Sequence, residues 1–453
     1  MADSGLLDWV LWLANAILIG LALYIYKQTK SGDKTYRFFL SGFLIKIVSG
    51  VLFFLVFKYY YGFGDTFFYF KGASDLSKTI TSDPVTYFRL LGSQSGSFAP
   101  DLSHFAEIIP YSRTYEEWFM LKLLSPIVFI SFRSYLLTTL FVSLISFFGS
   151  WKLFRVFDDV LKGENTLLAF GCAFLIPSVL FWGSGILKDT ITLAALNYLI
   201  YLAYFSFFKG RFSVRKIVLI MLMIYIIIGL KAYIFISFVP GLVLGLYLNF
   251  KNRIKSRVLQ LVLGPFLFIL LTGGTIYGLY SFTAQEGKYN AGNIESRVIG
   301  FHTWHRDVGG STYDLGEVEF TPQGVARKIP AALNVTFFRP YPWEANNFFL
   351  LLGALESFLF FGIFVYAIVK SKLRILKILR NEPILFGGLI FCLVFGFVVG
   401  FTSYNFGALA RYKIPISALS VFILFYVINK SSVKSTDKTE VFPQPFVEEK
   451  NTI

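Results

Sequence analysis

An all-α polytopic transmembrane helical bundle is the fold class this sequence predicts, and three observations predict it. Mean hydropathy is +0.63 and charged residues make up 15% of the chain, where soluble domains carry about 25%. Apolar runs of about 20 residues, enough to cross a bilayer as a helix, recur through 453 residues. Lys and Arg are concentrated in alternate connections between those runs, as the positive-inside tendency requires.

Taken in order, the runs place spans near 6–26, 38–57, 133–151, 166–184, 191–208, 217–231, 234–249, 258–281, 346–369, 383–402 and 413–429, about eleven in all. The segment 119–132 is too short to span and predicts an interfacial or re-entrant helix. Leu6–Tyr26 lacks a basic leader and a small-residue cleavage site, so it is expected to be a retained span. Basic connections hold Lys27, Lys30, Lys34 and Arg37; Lys152, Arg155 and Lys162; Lys209, Arg211, Arg215 and Lys216. They continue with Lys251 to Arg257, Lys370 to Arg380, and Lys430, Lys434 and Lys438. This phase puts the N-terminus outside and the C-terminus in the cytoplasm of a multi-pass protein of the inner (plasma) membrane. Two long external loops, about 58–132 and 282–345, are expected to carry short interfacial helices. Residues 1–430 form a single transmembrane domain, and 431–453, polar with Pro443 and Pro445, a disordered cytoplasmic tail.

The net charge of +15 follows the loop pattern, which argues against nucleic acid as a partner. Cys172 and Cys392 lie in apolar runs, so neither a disulfide framework nor a thiolate metal site is expected. No phosphate-binding glycine loop or dinucleotide fingerprint is present. His302 and His305 have a metal-compatible spacing without a further ligand. No cofactor is required, and a divalent cation remains open.

Four external segments gather ionisable residues at span ends. Asp65 follows Gly62 and Gly64, which permit a tight exit from the second span; its carboxylate reads as a general base or as a helix cap. Lys188 and Asp189 follow Trp182-Gly-Ser-Gly185, with Lys188 suited to phosphate and Asp189 to phosphate-site chemistry or capping. Arg339-Pro-Tyr-Pro-Trp343-Glu344 offers a guanidinium fork for phosphate or pyrophosphate, with Tyr341 and Trp343 able to stack on a sugar or anchor at the interface. Arg411 and Lys413 flank Tyr412 against the positive-inside tendency, which suggests an anionic partner. Two deeper charges, Lys46 and Glu356, are costly in a membrane and are expected to pair with each other.

Three short stretches carry a family resemblance. Gly64-Asp65 with Tyr69 and Ala73 opens the first long loop, Pro177-Ser with Trp182 leads to Lys188-Asp189, and Arg411-Tyr-Lys-Ile-Pro415 opens the last span. Together they resemble the GT-C glycosyltransferase superfamily, multispanning enzymes that use polyprenyl- or dolichyl-phosphate sugars, and particularly bacterial members related to protein and lipid A glycosyltransferases. The resemblance implies that Asp65 is the catalytic base and that Arg411, with Lys188 and Arg339, holds the carrier phosphate. Tyr69, Asp189, Trp343 and Glu344 complete the expected substrate site. A second acid near the catalytic one is not obvious, and an extra span precedes the core. The implied activity is sugar transfer from a polyprenyl-phosphate donor in the membrane to a glycan, lipid or protein acceptor, in synthesis of cell-envelope polysaccharide or glycoconjugate. An O-antigen or exopolysaccharide polymerase, which leans on external arginines and needs no early acid, is the nearest alternative. A transporter or flippase of lipid-linked sugars is another, and would line a midplane path with charges.

Overall fold

A computed structural model describes residues 5–251, most of 311–436, and isolated positions between 256 and 274. The protein is an all-α polytopic bundle, with no strand among the described residues. In chain order the described α-helices are α1 (Leu6–Gln28), α2 (Phe39–Val56), α3 (Asp65–Ser82), α4 (Pro84–Gly92), α5 (Phe105–Ile108) and α6 (Tyr115–Ile130). Then come α7 (Tyr135–Val160), α8 (Thr166–Phe174), α9 (Pro177–Trp182), α10 (Lys188–Ala203) and α11 (Val214–Phe250). The remainder are α12 (Pro322–Arg327), α13 (Ile329–Phe338), α14 (Phe348–Ser371), α15 (Ile375–Leu379), α16 (Pro383–Thr402), α17 (Phe406–Tyr412) and α18 (Ile414–Thr436). Eight helices among the described residues are long and apolar enough to cross a membrane.

That count differs from the eleven expected spans at three places. The run 166–184 is not one helix. Pro177 has no N–H and disfavours helical backbone at the residue before it, so α8 ends at Phe174 and Ile176 is extended (φ −79°, ψ 118°) before α9 begins. The runs 217–231 and 234–249 are joined in one element, α11, but its backbone is non-helical at Lys231 (φ −154°, ψ 74°), so they remain two legs as expected. Lys231 meets Asp189 at the start of α10, whereas Gly245 packs on Phe208 just beyond the other end of α10. Val214 follows Phe208 by only six residues. A straight helix would carry 214 and 245 about 46 Å apart at 1.5 Å per residue, so α11 doubles back at Lys231. The expected span 258–281 lies largely outside the described residues, as do 1–4, His302 and His305, and the tail from 437. Helix α18 continues to Thr436, six residues beyond the expected end of the membrane domain.

The basic connections converge at one end of the bundle. Arg155 pairs with Asp33 at 2.8 Å, Lys209 with Asp159 at 2.8 Å, and Lys430 with Glu164 at 3.6 Å. At the opposite end, α3 packs along α6, which carries Pro126 and buries Trp118, Met120, Leu121 and Leu124. Residues 58–132 thus carry the short helices expected of this segment, packed as a layer that caps the bundle. Beneath it α7, α10, α11 and α16 form the core, with Phe147, Leu196, Ile227 and Phe391 fully buried.

Candidate functional site

Four elements converge under that layer. Gly62 (φ +71°) and Gly64 (φ +143°) turn the chain out of α2, a conformation that favours glycine, and leave Asp65 in the first turn of α3. Asp65 does not cap the helix: Gly64 holds the cap position, and the carboxylate points elsewhere. It accepts from Arg411 Nη1 at 2.9 Å and from the Tyr111 hydroxyl at 3.4 Å. Arg411 also donates from Nε to Asp189 at 2.5 Å, and Asp189 accepts in addition from Lys231. Asp189 likewise leaves the N-cap of α10 to Leu187. The result is an alternating chain, Asp65–Arg411–Asp189–Lys231, joining α3, α17, α10 and α11.

The two carboxylates are unlike. Asp189 is sealed, with 2% of its side chain exposed, while Asp65 is 44% exposed. A buried carboxylate needs partners to be tolerated, and two cations supply them. Burial by itself would favour loss of the Arg411 proton; the charges of Asp189 and Asp65 reverse that and hold it more firmly than usual. An arginine has five N–H donors, and the described bonds to carboxylates use Nε and one on Nη1. Arg411 is carried by α17, which is fixed from outside: Asn405 caps it through the Ala408 N–H at 3.0 Å, and Phe406 N–H bonds to Ser311 at 3.0 Å.

Lys188 faces a second group. It pairs with Glu117 at 2.7 Å and Glu116 at 3.5 Å, both from the start of α6, and sits 5.9 Å from the centre of the Tyr69 ring. Tyr69, one turn beyond Asp65 on α3, is buried and meets Tyr111 edge to face at 5.3 Å. Burial and then the Asp65 charge raise the hydroxyl pKa of both rings, that of Tyr111 to about 12. Both phenols are therefore neutral at physiological pH, able to donate hydrogen bonds and not to act as bases.

The remaining expected residues lie apart. Arg339 forks onto Glu344, with Nε 3.1 Å from each oxygen, and Glu344 also accepts from the Tyr341 N–H at 2.7 Å. Their connection to the main cluster is the Phe406 ring of α17, 5.1 Å from the Arg339 guanidinium. Trp343 is 76% exposed and stacks on Tyr341. Lys413 turns away from Arg411, is buried, and donates to Ser357 at 3.0 Å.

The expected Lys46–Glu356 pair does not form. Lys46 donates to the Gly183 carbonyl at 3.3 Å, and Glu356 accepts from Ser178. The cation that shares a cavity with Glu356 is Lys413; this largely apolar cavity of about 660 Å³ lies between α8, α14 and α18. Among the described residues no group of three or more His, Cys, Asp or Glu forms a metal-binding set.

The sequence reading overlooked Lys231, Tyr111, Glu116 and Glu117. Lys231 stands alone between two apolar runs, which was a usable signal; the two glutamates merely look like the acidic first turn of a helix. Comparison with protein-family models, curated proteins and solved structures finds no match.

Proposed function

We propose that this chain is an integral-membrane glycosyltransferase that moves a sugar from a polyprenyl-phosphate carrier to an acceptor at the external face, in cell-envelope glycan or glycoconjugate synthesis. The observation that carries this reading is the Asp65–Arg411 contact. An exposed carboxylate and a buried guanidinium, 346 positions apart in the chain, meet at one end of a membrane bundle. Asp65 takes the proton of an acceptor hydroxyl, whose oxygen forms the new bond to the anomeric carbon. The bond from that carbon to the carrier phosphate breaks, and its electron pair leaves with the phosphate. Arg411, with donors beyond those held by carboxylates, stabilises the departing charge. Tyr111 stands beside Asp65 as a neutral donor, with Tyr69 packed behind it.

The contact of Arg411 with an early acid, Asp65, favours this reading over a polymerase, which needs no such acid. A transport path loses its support, since Lys46 and Glu356 are taken up in helix-end contacts. The test is Asp65→Asn, which keeps an oxygen for Arg411 and removes the base. Transfer from a labelled polyprenyl-phosphate sugar is expected to fall by about 10²–10⁴-fold, with little change in thermal stability. A folded variant with full transfer would overturn the assignment.

A further inference from the structure

Lys46, which is buried, and Glu356, which is half-buried, are charges that the site does not use, and both are committed to one six-residue helix, α9. Glu356, from α14, accepts from the Ser178 N–H at 2.7 Å and from its hydroxyl at 2.6 Å. It replaces the cap that Ile176 does not provide. At the other end, the Gly183 carbonyl accepts from Lys46 of α2 and from the Ser146 hydroxyl. The Ser184 carbonyl accepts from Ser143 at 2.7 Å, and Thr190 takes the Trp182 carbonyl at 3.1 Å. The acid stands at the helix N-terminus and the base at the C-terminus, the signs a helix dipole favours. In an apolar interior no water is present to satisfy those end groups, so side chains from other helices must. Six residues past Trp182 the chain reaches Lys188, and then Asp189.

We propose that Glu356 and Lys46 are positioning residues that clamp α9 from its two ends and thereby set the placement of Lys188 and Asp189. This rests on the reading of Asp189 as part of the transfer site, but the clamp itself can be tested without it. Ser184→Cys provides the probe: Ser184 is fully buried, its hydroxyl has no described partner, and sulfur fits nearly the same shape. Cys172 and Cys392 are replaced by Ala, and maleimide labelling of the purified protein in detergent is followed alone and with Glu356→Ala, Lys46→Met or Lys413→Met.

The clamp predicts a protected thiol in the parent, and labelling faster by about ten-fold or more with Glu356→Ala or Lys46→Met. Glu356→Asp, which retains the carboxylate, is expected to recover part of the protection. Lys413→Met removes the other charge of the same cavity, whose described bond is to Ser357 and not to α9, and should leave the thiol protected. Unchanged labelling in folded Glu356→Ala and Lys46→Met proteins overturns the proposal, as does equal exposure in Lys413→Met. Sugar transfer is measured in parallel, where the clamp variants should lower kcat more than they raise KM. A chain that exposes Ser184→Cys as expected yet transfers no sugar in any form keeps the clamp and refutes the transferase.

Discussion

Arg411 carries more of the site than any other side chain, because its fork joins an exposed carboxylate to a sealed one. Arg411→Met leaves Asp189 with a single cation, and breaking a buried pair of this kind costs about 3–5 kcal/mol. A lower Tm in detergent is the expected readout. Arg411→Lys restores the charge but not the fork, so it should recover much of the Tm and little of the transfer; a Lys variant as active as the parent would contradict the role of the fork. A second test concerns Glu344. Burial pushes its carboxyl up, but the Arg339 fork and the Tyr341 N–H prevail, and its pKa lies below the ordinary 4.5. A depressed carboxyl stabilises the fold above its unfolded-state value, and that contribution is lost as pH falls through the folded-state value. Glu344→Gln should therefore lower Tm at neutral pH and flatten its decline below pH 4.5. The charges of Asp65, Asp189 and Arg411 stood out in the sequence at the ends of apolar runs, where both acids also read as helix caps; that the three meet was not legible. The Lys46–Glu356 pairing was misread because depth in a span says nothing about which helices face each other.

At the scale of elements, the break between α8 and α9 shows the limit of hydropathy. Residues 166–184 are apolar throughout, and composition alone does not separate a continuous span from an interrupted one; Pro177 was the only local sign. The α11 fold-back was clearer, since Lys231 divides two runs each near bilayer length. The turn after α9 makes its own prediction. A Cβ on Gly185 would fall within the ring of Phe53, which is fully buried and stacked on Phe57 at 4.4 Å. Gly185→Ala is expected to destabilise by about 1–3 kcal/mol, and Phe53→Leu in the same chain should recover part of it by opening the space. Thermal melts of the single and double variants measure both; an undamaged Gly185→Ala protein would mean that the turn is looser than described.

Across the whole molecule, four of the expected basic connections meet at one end, through Arg155–Asp33, Lys209–Asp159 and Lys430–Glu164, and the Asp65 cluster occupies the other. Of the α3–α6 layer, α6 was legible as the short helix expected at 119–132, whereas α3 was not, because it is polar enough to resemble loop sequence. The positive-inside tendency predicts which end faces outward, and the orientation can be measured directly. In a background lacking the native cysteines, a membrane-impermeant maleimide applied to spheroplasts should label Gln94→Cys and spare Lys209→Cys; the reverse pattern would invert the protein. The separation of Asp65 from Arg411 also has a consequence for biogenesis. As the chain is inserted, Asp65 and Asp189 are in place long before α17 is synthesised, and until then neither has its guanidinium. The nascent protein therefore passes through a stage in which both acids are present but the guanidinium they share is missing. The charge chain from Asp65 to Lys231 closes only when α17 arrives, so a chain stalled in translation before it would lack the link between its two acids.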